Sequence, residues 1–155
     1  MKRKLFPIEI LLWSIAFPGF GQILNRAYIR GGFFIILEFV INVKSNLNLN
    51  IMYSFQGKSG LAIDVTNYEW AMFYPCIYLF AIFESYVMAY ERLGLPTPPY
   101  LTLPFVSAAY FSTIGVIYSS IPSPIAPTFI PIIGIGVGVG IGFALRALIL
   151  RRLSK

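Results

Sequence analysis

The chain has 155 residues, of which 57% are apolar and 12% charged, with a net charge of +6 and no histidine. Soluble domains carry roughly a quarter charged residues, so this chain lacks the charge to cover a water-facing surface, and a lipid bilayer is the solvent that suits it. The absence of histidine removes the commonest general base and metal ligand, and a single cysteine, Cys76, inside an apolar run excludes a disulfide framework.

The start, MKRKLFPIEILLWSIAFPGFG, places basic residues before an apolar core, as a secretory signal does. Pro7 and Glu9 interrupt that core and no Ala-x-Ala-like site follows, so the segment is expected to be retained. Residues 5–24 form the first apolar segment, and it runs into FPGFGQILNRAYIRGG at 17–32. Pro18 has no amide hydrogen and disturbs the helix before it. Gly19 and Gly21 permit backbone angles and close approaches that other residues resist. Gln22 and Asn25 can hydrogen-bond the carbonyls that a break exposes. Broken backbone at membrane depth is tolerated where protein or water satisfies it. We read this stretch as an elbow, in preference to a binding site lined by freed backbone groups of the kind broken-helix transporters use.

Four longer apolar segments follow, at 29–52, 68–91, 103–121 and 129–151, near the ~20 residues a membrane-crossing helix needs. The first turns polar in its second half, KSNLNLN. Residues 53–67 read as an external loop, GLPTPPYLTL as a stiff internal turn and PSPIAPT as a short external one. Trp13, Tyr53, Tyr68, Trp70 and Tyr100 lie near predicted ends, where interfacial anchors belong. Cytoplasmic excess of Lys and Arg decides whether residues 5–24 cross. With five spans, five cations lie inside and seven outside. With four, Lys2, Arg3, Lys4, Arg26, Arg30, Arg92, Arg146, Arg151, Arg152 and Lys155 lie inside, and only Lys44 and Lys58 outside. The expected fold is therefore all-α: a polytopic membrane helix bundle of four transmembrane helices plus a re-entrant or interfacial N-terminal helix. It forms one integral-membrane domain over residues 1–155, with both termini cytoplasmic. Because the cations cluster at segment ends, they point to anionic lipid headgroups and not to nucleic acid.

FPGFGQILNRAYIRGG resembles the Pro-Gly-x-Gly-Gln-x-x-Asn-x-x-x-x-x-Gly signature of small bacterial membrane proteins related to the two-transmembrane-helix domain family. The resemblance covers about Ile8 to Val40 and rests on Pro18, Gly19, Gly21, Gln22, Asn25 and Gly31 or Gly32. Leu24 stands where an aromatic is usual, Arg26 where a Gly often follows the Asn, and two C-terminal spans lie beyond a two-span unit. The resemblance implies a bacterial plasma-membrane module with an elbow, and no particular reaction.

Charged groups inside spans are costly and mark functional positions. Glu38 lies ~13 Å into the first span and Glu84 ~12 Å before Arg92, by the helical rise. If these sequential helices are antiparallel neighbours, the two carboxylates lie at matching depth. Asn42 is one turn from Glu38 on the same face, and Arg146 sits just inside the last span. Glu38, Asn42, Glu84 and Arg146 are thus candidates for an intramembrane polar or ion site. The plainer reading is an interhelical clamp, Glu38–Arg146 or Glu84–Arg30, that fixes packing. In GIGVGVGIG, Gly134, Gly138 and Gly142 form one small-residue stripe and Gly136 and Gly140 another, on nearly opposite faces, as in a glycine zipper. Such stripes allow close helix contacts within a protomer or between protomers.

No nucleophile–base–orienter set is visible, the acids are too scattered for a metal cage, and neither cofactor nor metal is expected. The reading is a small accessory or scaffold protein, not an enzyme, assembling with itself or with a membrane partner. The alternative is an ion- or proton-coupled transporter or channel subunit using Glu38 and Glu84.

Overall fold

The computed structural model describes residues 5–153, so the basic Lys2, Arg3, Lys4 and Lys155 of the orientation count lie outside the described residues. All regular structure among the described residues is helical: α1 Pro7–Ala16, α2 Phe20–Leu24, α3 Tyr28–Ser45, α4 Leu47–Phe55, α5 Ser59–Val65, α6 Tyr68–Ala71, α7 Tyr74–Leu93, α8 Thr102–Tyr118 and α9 Phe129–Leu153. Among the described residues two stretches are long and apolar enough to cross a membrane, Tyr68–Leu93 and Phe129–Leu153. The count becomes three if α3 and α4 form one broken span. The continuous helix expected over 29–52 is instead bent by 63° between α3 and α4. Asn46 adopts a left-handed conformation there (φ +55°), which Asn tolerates better than most residues, and its Nδ2 donates to the Val65 carbonyl at 2.9 Å. The segment expected at 103–121 is a 17-residue apolar helix, α8.

The chain divides into two compact units: residues 1–39 with 77–99, and residues 40–76 with 100–155. In the first, α1 starts where Pro7 fills the first helical position and the Glu9 carboxylate accepts from the Phe6 amide at 2.8 Å. It runs antiparallel to α7. The Arg92 guanidinium donates to the Leu5 carbonyl at 2.7 Å, the Ser14 and Ser85 hydroxyls meet at 2.7 Å, and the Tyr78 hydroxyl donates to the Ile15 carbonyl at 2.6 Å. After Phe17 the helix ends, and Gly19 (φ +89°) turns the chain in a backbone region L side chains resist.

The chain then returns along the same helix. Gln22 donates to the Ala81 carbonyl at 2.8 Å, Asn25 to the Ser85 carbonyl at 2.8 Å, and Arg92 reaches the Leu24 carbonyl at 3.4 Å. Residues 5 and 24 are thus held by one side chain at one end of α7, while Ile15 sits at Tyr78, ~21 Å along the helix by its rise. Residues 5–25 form a helical hairpin laid on α7. It also meets α3: a Cβ on Gly19 would lie 2.6 Å from the Gly31 carbonyl oxygen, and one on Gly31 2.6 Å from Ile23 Cγ1. Gly32 faces open space, so Gly31 is the glycine the elbow uses.

In the second unit, α8 and α9 pack antiparallel with their backbones in contact. A Cβ on Gly134 would lie 2.5 Å from the Phe111 carbonyl oxygen, one on Gly138 2.5 Å from Ala108 Cα, and one on Gly142 2.6 Å from Pro104 N. Gly115 of α8 reciprocates against Pro131. Elsewhere in this unit α4, α5 and the start of α9 converge on Asn50. Its amide donates to Thr66 Oγ1 at 2.6 Å and to the Ala62 carbonyl at 3.3 Å, and its oxygen accepts from the Thr128 hydroxyl. The Phe55 and Phe129 rings pack beside this network, 5.1 Å apart.

Candidate functional site

The polar centre of the first unit is Glu84, part-way along α7. Arg30, in the first turn of α3, donates to its Oε1 at 2.9 Å, and Gln22 of the hairpin donates to its Oε2 at 3.0 Å. Both carboxylate oxygens are therefore held by protein donors from two other elements. Of the two clamp pairings the sequence allows, Glu84–Arg30 is formed. The Arg30 side chain is 63% exposed and that of Glu84 20%, so the guanidinium reaches outward while the carboxylate lies in the helix contact.

Matching depth for Glu38 and Glu84 does not survive the register. Arg30 meets Glu84, and four residues on the Phe34 ring lies 6.1 Å from that of Phe80. Each step up α3 is a step back along α7. Glu38 lies eight residues beyond Arg30, ~12 Å further along the helix, and it acts electrostatically on Tyr78. The expectation took the start of α3 and the end of α7 as level. In fact α7 overshoots by about two turns, and the overshoot is where Arg92 grips both ends of the hairpin.

Asn42 donates to Asn48 Oδ1 at 3.2 Å, across the bend at Asn46. Arg146 sits half-buried on α9 in the second unit. Among the described residues no group of three or more His, Cys, Asp or Glu side chains could hold a metal ion. No protein-family model matches the chain, and no curated protein or solved structure matches it either.

The elbow residues form one contact surface. Gly21 is buried because a Cβ there would lie 2.8 Å from Ser85 Cβ and nearer still to the Ser14 hydroxyl. Its absence lets the two serines pair: one hydroxyl donates across the pair, and the other donates to its own helix, at the Ile10 carbonyl for Ser14 or the Ile82 carbonyl for Ser85. Pro18 is buried at the turn.

Sequence reasoning missed the serine pair, the Arg92 grip and the Asn50 network. A signal for the last was present: Asn46, Asn50 and Ser54 recur every four residues, the spacing of one helix face. Treating KSNLNLN as merely polar concealed it.

Proposed function

We propose that this protein is a small integral-membrane accessory or scaffold protein, acting by helix packing and by assembly with itself or a membrane partner, with no catalytic step. The observation that carries this reading is the division of glycines on α9. Gly134, Gly138 and Gly142 are filled by α8, whereas Gly136 and Gly140 have no neighbouring atom within 4 Å of where a Cβ would stand. Close contact between small residues is a main source of helix association in lipid, where burying apolar area gains little. The first stripe demonstrates that spacing in use, and the second presents the same surface outward. The engagement of both Glu84 oxygens by Arg30 and Gln22 favours a packing clamp over an ion site.

The proposed topology is four transmembrane helices with a re-entrant hairpin at residues 5–25 and both termini in the cytoplasm of a bacterium. The elbow is read as the module of the two-transmembrane-helix domain relatives. The return of the hairpin to the Arg92 end of α7 supports re-entry. α8 is ~26 Å long against a ~30 Å hydrocarbon core, a mismatch that local bilayer thinning accommodates.

Two experiments test these readings. Gly136→Leu with Gly140→Leu should abolish crosslinked oligomer or partner bands in membranes while the purified protein keeps its fold. Unchanged bands would remove the assembly proposal. Single cysteines at Arg26 and Lys58, in a Cys76→Ser background, should label from outside at position 58 only. External labelling at position 26 would overturn the four-span arrangement.

A further inference from the structure

The hairpin–α7 seam leaves three buried polar atoms with no partner among the described residues: Gln22 Oε1, Asn25 Oδ1 and Arg92 Nε. Gln22 is fully buried and Asn25 is 9% exposed. Reversing the amides does not help. A flipped Gln22 would aim its oxygen at two acceptors, the Ala81 carbonyl and the Glu84 carboxylate, and a flipped Asn25 would aim its oxygen at the Ser85 carbonyl. The orientation of both amides is thus fixed by α7, and their oxygens need donors that none of the described residues supplies.

Asn50 provides the internal comparison. It is equally buried, yet its oxygen is met by Thr128 and its nitrogen by Thr66 and Ala62. Buried amide oxygens left unmet are costly, so two on adjacent turns, with an orphan cationic donor on the same seam, call for a ligand that can both donate and accept. Arg92 is placed for this, since its NH1 reaches the carbonyl of Leu24, the neighbour of Asn25. A metal cation would suit the oxygens but not the guanidinium. Water suits both, and buried waters typically make about three hydrogen bonds to such groups.

We propose that the hairpin–α7 seam is a hydration site, where ordered water donates to Gln22 Oε1 and Asn25 Oδ1 and accepts from Arg92 Nε. The site extends solvent from the Leu5–Arg92 end of the first unit toward Glu84, which shares Gln22 with it. Non-helical backbone at membrane depth is found where protein buries it or where it lines water, and this hairpin does both.

The test is solid-state NMR of the full chain in phosphatidylcholine–phosphatidylglycerol liposomes, with magnetisation transferred from water to protein. The side-chain amides of Gln22 and Asn25 should receive it at least about threefold faster than that of Asn50, whose polar atoms are all met within the protein. Equal or slower build-up overturns the proposal. Thermal midpoints should also be equal in sodium, potassium and choline chloride. A sodium- or potassium-specific rise that Gln22→Met abolishes would give the oxygens to a metal cation and overturn it as well.

Discussion

Gly138→Ala should destabilise the second unit by about 3 kcal/mol, near the upper end for overpacking, while Gly136→Ala on the same helix should be neutral or slightly stabilising. The added methyl at position 138 would stand 2.5 Å from Ala108 Cα and 2.6 Å from Ala108 N. Both atoms are backbone, so no rotamer change can clear the space and α8 must move as a body. That movement loosens the neighbouring contacts at Gly134 and Gly142, which depend on the same separation. At Gly136 nothing lies within 4 Å, and Ala gains up to ~1 kcal/mol of helix propensity over Gly. Trp70 belongs to the second unit and Trp13 to the first, so denaturation of a Trp13→Phe background in detergent, followed by fluorescence, reads the second unit alone. A further signature separates backbone contact from side-chain crowding: Ala108→Gly should fail to rescue Gly138→Ala. Rescue, or equal behaviour of the two alanine variants, would mean that α8 does not approach α9 this closely.

The asymmetry between the two glycine stripes was half visible in the sequence. Spacing alone gave two stripes on opposite faces, because periodicity follows from helix geometry. Which stripe α8 occupies depends on the rotation of α9 about its axis, which no local pattern records. The elbow was more fully legible: Pro18 and Gly19 announce a break through local backbone chemistry, and Gln22 and Asn25 announce a need for carbonyl partners. Their actual partners, Ala81 and Ser85, lie about sixty residues away and follow from register. The carboxylates show the same limit. Distances along each helix follow from the rise, but the level of one helix end against another does not, and α7 overruns α3 to reach Leu5 and Leu24. The bend at Asn46 had a cue in its polar surroundings, yet a single left-handed residue redirects a helix without changing its apolar pattern.

The elbow predicts the other large effect, at Gly19. Ala there meets two separate penalties. A left-handed backbone costs an L residue roughly 1–2 kcal/mol, and φ is +89° at this position. The new Cβ would also stand 2.6 Å from the Gly31 carbonyl oxygen, a backbone atom, which adds about 1–3 kcal/mol of overpacking. Together these give a loss of about 3 kcal/mol. The matched control is Gly32→Ala, on the same helix as Gly31 but facing open space, and it should change little. In a Trp70→Phe background, Trp13 reports the first unit, and its ring lies 5.5 Å from that of Phe20 across the turn. Gly19→Ala should shift the Trp13 emission even before denaturation, because the hairpin cannot close without separating from α3. Separation also moves the hairpin, with Gln22 held on α7, away from α3 with Arg30, so the two donors no longer converge on Glu84. The elbow therefore works as the fixture that sets the polar centre of the unit, and its glycines serve the clamp through backbone geometry. If Gly19→Ala matched Gly32→Ala in both stability and emission, the turn would not be held against α3, and the placement of Gln22 on Glu84 would need another cause.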